Sequence, residues 1–373
     1  MTMTLHPAMA EALRLTRAGN LAEATALIQS TLAGGAQADP SPPTAASCDI
    51  IDLKPCRVMV SSPERAVPRE VRVLHSTVPP GAAGTFNEQN YSGAAGSLAY
   101  RLYIPHGATA GMPLVVMLHG CTQSPEDFAR GTDMNRLADE FGFLVAYPSQ
   151  TRGRNAQKCW NWFKPGDQRR DRGEPALIAG ITRQVIADQR ADAARVYVAG
   201  LSAGGAAAAI MGAAYPDLYA AIGIHSGLAC GAARDLPSAL AAMRSGGSAG
   251  STTNGSRFVP VITFHGDRDT TVHQINSRQI IAAAYAAAGG FLQTRTETGR
   301  SAGGRGYTCD KSVDDKGQVL IEQWTIHGAG HAWSGGNNLG SYTDPTGPDA
   351  SREMLRFFLD HRSMSNTHSG STR

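Results

Sequence analysis

The chain has 373 residues, 42% of them hydrophobic, with 42 glycines, 34 Lys and Arg against 31 Asp and Glu, and a formal net charge of +3. That length and apolar content suit one large α/β domain or two ordinary ones. The near balance of charge, without a long Lys/Arg block, argues against a nucleic-acid surface or a polybasic membrane patch, and no stretch approaches the ~18 apolar residues of a membrane span.

The N-terminal sequence MTMTLHPAMAEALRLTRAGN does not read as a secretory signal. Its first basic residue other than His6 is Arg14, and Glu11 and Arg14 interrupt any apolar core. A cytoplasmic location is the resulting expectation, which a misassigned start would reopen. Residues 7–33 read as a short helical hairpin, with Met9, Leu13 and Leu15 before a Gly19-Asn20 break and Leu21, Ala24, Leu27 and Ile28 after it. The turn AGNLAEA resembles one tetratricopeptide unit, but a solenoid needs about three copies. An appendage docked on the main domain or on another copy is therefore expected, rather than a dedicated partner-binding module.

Residues 34–80, with DPSPPTAAS at their centre, read as a linker or loose wrap containing a short strand at Val71–Leu74. Residues 81–362 form the main domain. There Leu98–Ile104 alternates like an outer antiparallel strand. Leu114–Leu118, Phe143–Tyr147, Val196–Ala199, Val261–Phe264 and Leu320–Ile326 read as further strands, the middle ones short and continuously apolar as strands covered on both faces must be. Helices fit 133–141, 175–190, 203–214, 277–288 and 351–360. The alternation predicts a mostly parallel sheet with helices on both faces, whose chemistry lies beyond the carboxyl ends of the strands. The polar tail 363–373 is expected to be disordered.

Six cysteines, Cys48, Cys56, Cys121, Cys159, Cys230 and Cys309, form neither C-x-x-C nor a zinc spacing with histidine. In a cytosolic protein they are expected to be reduced thiols, and export would leave disulfides open.

The segment VYVAGLSAGGAAAAIMG places Gly200-Leu-Ser202-Ala-Gly204 between a predicted strand and a predicted helix. G-x-S-x-G in that setting is a nucleophile elbow, with helix N–H groups aimed at a developing anion. An ordinary serine cap is the plainer reading of the pentapeptide alone. A serine hydroxyl needs a base, and the base a carboxylate, in the chain order Ser, acid, His. After Val261–Phe264 come His265-Gly-Asp267-Arg-Asp269. Asp269, deeper in the loop, is expected to reach a histidine, Asp267 to hold the turn, and His265 to be structural.

In WTIHGAGHAWSGG, His331 lies on a loop beyond two glycines and is expected to be the base. A metal site at His327 and His331 is disfavoured, because Gly-Ala-Gly does not make the helix that i, i+4 ligation needs. The oxyanion donors are expected to be the N–H of Ala203 and, from LHGCTQ, that of Cys121; a small buried filler is the plainer role for Cys121.

LHGCTQ (118–123), CWNWF (159–163), RDRGEPALIAGI (170–181), GLSAGG (200–205), HGDRDTTV (265–272), GAGHAWSGG (328–336) and SYTDPTGPDAS (341–351) stand in order. Together they resemble the esterase family of short-chain polyhydroxyalkanoate (PHB) depolymerases, over about residues 95–360. The resemblance implies an α/β-hydrolase fold, no metal or organic cofactor, and a triad at Ser202, Asp269 and His331. It also implies a polyester or hydroxyalkanoate oligomer substrate, with a storage granule surface as a partner. Feruloyl and acetylxylan esterases are related, so a carbohydrate esterase is the rival of like chemistry. A non-catalytic granule-binding protein is the rival of another class.

Trp160, Trp162 and Trp333 lie in loops near these motifs. They are expected either to form an exposed ester-binding wall or to pack the loops onto the core.

Overall fold

In a computed structural model of the chain, residues 84–247, 257–290 and 292–363 are described. The expected hairpin 1–33, the linker 34–80 with its strand, Cys48, Cys56 and all but the first residue of the tail lie outside them.

Each short apolar run becomes a strand because its alternate residues enter two different cores. In β3 (Leu114–Leu118), Leu114, Val116 and Leu118 join one apolar cluster, while Val115 and Met117 join the other. Among the described residues, ten strands form one sheet in the order β1-β2-β4-β3-β5-β6-β7-β10-β9-β8. β3, β4 (Leu144–Pro148), β5 (Val196–Leu201), β6 (Ala221–His225), β7 (Val261–Gly266) and β10 (Val319–Ile326) run parallel. Antiparallel ribbons flank them: β1 (Thr85–Gly93) with β2 (Gly96–Ile104) on one side, β8 (Gln293–Arg300) with β9 (Gly306–Val313) on the other. β11 (Trp333–Ser334) and β12 (Thr343–Asp344) pair separately.

Helices α1 (Pro125–Thr132), α2 (Met134–Phe141) and α7 (Ala350–Leu359) contribute Phe128, Leu137 and Phe357 to one core. Helices α3 (Gly173–Gln189), α4 (Ala203–Ala214), α5 (Leu236–Ser245) and α6 (Ile275–Ala288) contribute Leu177, Met211, Ala239 and Ile280 to the other. The mostly parallel sheet covered on both faces is the predicted architecture. No described helix is long and apolar enough to cross a membrane.

Four strands of this sheet were not predicted, β1, β6, β8 and β9, and two of them show the physical reason. β6 reads AIGIH, and its glycine lowers strand propensity. It is there because α7 lies close: a β-carbon at Gly223 would sit 2.7 Å from Met354 Sδ and 3.0 Å from Phe358 Cζ. β8 is polar and exposed along nearly its whole length, so no hydrophobic alternation marks it, and its ladder with β9 holds it in place.

Candidate active site

Ser202 follows the last residue of β5 and precedes α4, with φ 57° and ψ −117°. A non-glycine residue there is strained and persists only when its surroundings over-determine it. They do: Ser202 N–H donates to the His225 carbonyl at 2.9 Å, and its own carbonyl accepts from Ala206 N–H at 2.9 Å. The flanking glycines are required by close approach. A β-carbon at Gly204 would overlap the Leu118 carbonyl oxygen and lie 2.6 Å from that of His119. The elbow is thereby locked onto the end of β3.

Two carboxylates follow β7. Asp269 Oδ1 accepts the N–H groups of Thr271 and Val272, each at 2.9 Å, which fixes its loop. Its Oδ2 lies 2.7 Å from His331 Nδ1. Burial raises this carboxyl, but the His331 hydrogen bond and charge, the Val272 N–H and His265 outweigh it, and the net shift is below the usual aspartate value. Asp269 therefore stays ionised at neutral pH.

His265 is buried, donates from Nε2 to the Val272 carbonyl at 2.7 Å, and lies 3.5 Å from Asp269 Oδ2. Asp267 reaches across to the turn after β10, accepting Gly328 N–H at 2.7 Å and facing His327 Nδ1 at 3.1 Å. The other His327 nitrogen lies 2.9 Å from Thr308 Oγ1, so neither ring nitrogen is free.

Among the described residues neither Ser202 Oγ nor His331 Nε2 makes a hydrogen bond. Such contacts commonly tighten only when substrate binds. Ser202 and the His331 segment are instead joined through His225, a residue the sequence reading passed over because β6 went unseen. The His225 carbonyl accepts from Ser202 N–H, and its ring Nε2 accepts from Ser334 N–H at 3.0 Å. The ring stacks on Trp333 at 5.1 Å and on Phe264 at 5.8 Å. Full burial pushes its pKa well below 6.5, so it is neutral, with the proton assigned to Nδ1 by the Ser334 bond.

The His119–Gln123 turn lies against the elbow, where a β-carbon at Gly120 would sit 3.7 Å from Ser202 Cβ. Cys121 N–H donates to no group among the described residues. Ala203 N–H, at the first position of α4, has no intrahelical partner. Both expected donors are thus available.

Two expectations need correction. Cys121 and Cys159 are not reduced thiols: they form a disulfide across 38 residues. Cys230 and Cys309 are free, and burial raises both thiols, Cys230 to about 11. Nothing in the spacing of the cysteines marks the pair, because tertiary folding brings the segments together. The three tryptophans form no exposed wall, since all are buried. Trp160 donates from Nε1 to the His119 carbonyl at 3.1 Å, and Trp333 donates to Ser351 Oγ at 3.0 Å. Trp162 packs edge-on against Phe163. Large rings with an internal acceptor gain more from burial than from facing water. The exposed aromatic beside the turn is Tyr342, whose hydroxyl lies 3.3 Å from Thr122 Oγ1. Its signal was its place in SYTDPTGPDAS.

A family model described as Esterase PHB depolymerase matches residues 98–307, a span that holds Ser202 and Asp269 and ends before His331. Poly(3-hydroxyalkanoate) depolymerase C of Paucimonas lemoignei is 34% identical over 257 residues, 65% of this chain and 60% of its own length. The poly(3-hydroxybutyrate) depolymerase of Ralstonia pickettii is 30% identical over 283 residues, 71% of this chain and 57% of its own. The chain thus spans about three fifths of the length of these relatives. An acetyl xylan esterase from Aspergillus awamori superposes with a TM-score of 0.57 at 19% identity, over 74% of this chain and 99% of that one, a likeness of fold. By its sequence from Leu98 to Tyr307, the chain belongs to the esterase PHB depolymerase family.

Proposed function

We propose that the chain is a serine carboxylic-ester hydrolase that cleaves poly(3-hydroxybutyrate) or its oligomers. The observation that carries this reading is the Asp269–His331 pair, 2.7 Å apart, beyond the ends of β7 and β10, in a sheet whose β5 leads into a serine held in a strained turn. Membership of the family supports the polyester substrate.

In this mechanism Ser202 Oγ attacks the ester carbonyl carbon. His331 Nε2 takes the hydroxyl proton and returns it to the departing alcohol oxygen. Asp269, ionised and bonded to Nδ1, holds the tautomer that leaves Nε2 free to accept, and stabilises the imidazolium that forms. The N–H groups of Cys121 and Ala203 hold the oxyanion. Water activated by His331 then cleaves the acyl-enzyme, releasing the acid and restoring Ser202. The Cys121–Cys159 bond favours an oxidising compartment over the expected cytoplasm. Tyr342, exposed and with its hydroxyl 3.3 Å from Thr122 Oγ1, offers aromatic surface for a polyester chain beside the oxyanion turn.

The test is hydrolysis of amorphous polyhydroxybutyrate and of hydroxybutyrate dimer and trimer, with methyl ferulate and acetylated xylan alongside. Ser202→Ala should remove nearly all turnover and all labelling by a fluorophosphonate, with the fold intact. Retained turnover would defeat the mechanism, and preference for the feruloyl or acetyl substrate would defeat the polyester assignment.

A further inference from the structure

The turn that supplies one oxyanion donor is held in an unfavourable conformation from outside. Thr122 has φ 66°, a left-handed value that a β-branched residue rarely adopts. Its N–H donates to the Gln157 carbonyl at 2.6 Å, and its neighbour Cys121 is bonded to Cys159. The segment beyond that bond is itself anchored. Cys159 N–H donates to Asn155 Oδ1 at 3.3 Å, and the Cys159 carbonyl accepts from Gln150 Nε2 at 3.1 Å. Glu174, buried, accepts from the same Gln150 amide at 2.5 Å and from Asn161 N–H at 2.7 Å. His119 closes the circuit, its Nε2 accepting from Gln150 N–H at 3.1 Å and its carbonyl from Trp160 Nε1.

We propose that the Cys121–Cys159 disulfide is a positioning element for catalysis, holding the Cys121 N–H where the transition-state oxyanion forms. The proposal rests on the serine-hydrolase reading above. Without the bond, the remaining ties keep the segments together, but Cys121 loses its covalent restraint next to a strained residue, and Thr122 relaxes. The oxyanion hole touches charge that exists only in the transition state, so the loss falls on kcat rather than on KM. Both half-cystines are partly exposed, so a reductant can reach them.

The experiment reduces the folded protein with dithiothreitol. Two electrons and two protons convert the S–S bond to two thiols while the reagent closes into its own cyclic disulfide. Thiol titration confirms opening, and near-UV circular dichroism confirms that the fold persists. kcat and KM on a hydroxybutyrate dimer, and the affinity of an alkylboronic acid that mimics the oxyanion intermediate, are measured before and after.

The expected result is a fall in kcat of about 10- to 100-fold, part of the loss typical of one missing oxyanion donor, with KM within about twofold. Boronate affinity falls in parallel, and reoxidation restores both. Cys159→Ser should reproduce the reduced state and be insensitive to the reductant; if it does not fold, reduction of the wild type decides. Opened thiols with unchanged kcat and boronate affinity overturn the proposal, even if the melting temperature drops, because the bond would then be structural alone. Failure of the underlying reading is separate: it shows as activity retained by Ser202→Ala.

Discussion

Acidification should weaken the fold through His119, and the size of the effect follows from its surroundings. The ring is fully buried, donates from Nδ1 to the Gly120 carbonyl at 2.8 Å and accepts at Nε2 from Gln150 N–H. Burial lowers its pKa from 6.5 to about 4. The unfolded chain takes up a proton at this residue near pH 6.5, whereas the folded chain refuses it until about pH 4. Between those values the unfolded state binds more protons, so stability falls as pH falls. A shift of that size corresponds to roughly 3 kcal/mol, a large share of the ~5–15 kcal/mol of a typical domain. His225, also buried and lowered, acts with the same sign. Asp269 acts in a different window: its carboxyl is depressed, so its contribution is kept above the ordinary aspartate value and lost only below it. The assay is urea unfolding at pH 7, 6, 5 and 4 for the wild type and His119→Gln, whose amide oxygen can still accept from Gln150 N–H. The wild type should lose roughly 3 kcal/mol more than the variant over this range. An identical pH slope in both proteins would refute the argument.

Asp269→Asn keeps an acceptor for the Thr271 and Val272 N–H groups but turns an amide toward His331 Nδ1, favouring the wrong tautomer. A kcat loss of about 10³–10⁴-fold with a native fold is expected, and steady-state kinetics showing less than a tenfold loss would contradict the assigned role. Gly204→Ala forces a methyl into the Leu118 and His119 carbonyls, which have no rotamer to yield. A stability loss of ~1–3 kcal/mol is expected, together with loss of most fluorophosphonate labelling, read from a thermal melt and an active-site titration; a variant that labels and melts like wild type would show that α4 can shift at no cost.

The serine turn and the Asp269–His331 pair were legible in the sequence because each residue sits where an apolar run ends. The parallel strands were legible for the same reason: a strand buried on both faces must be continuously apolar. β1, β6, β8 and β9 were not; β6 carries a glycine required by α7, and β8 is polar and held by its partner. His225 was hidden with β6, and it joins the serine to the segment that carries His331.

Local sequence therefore determined placement: which hydroxyl, which carboxylate and which imidazole stand at the strand ends. Tertiary structure decided what holds them. The orientation of a tryptophan, inward to the His119 carbonyl or outward to solvent, depends on acceptors more than 40 residues away. The Cys121–Cys159 bond depends on two loops that meet only when β3 and β4 lie side by side in the sheet. Hydrophobic period and turn chemistry are short-range and can be read along a chain, whereas burial and cysteine pairing are properties of the surface on which distant segments meet.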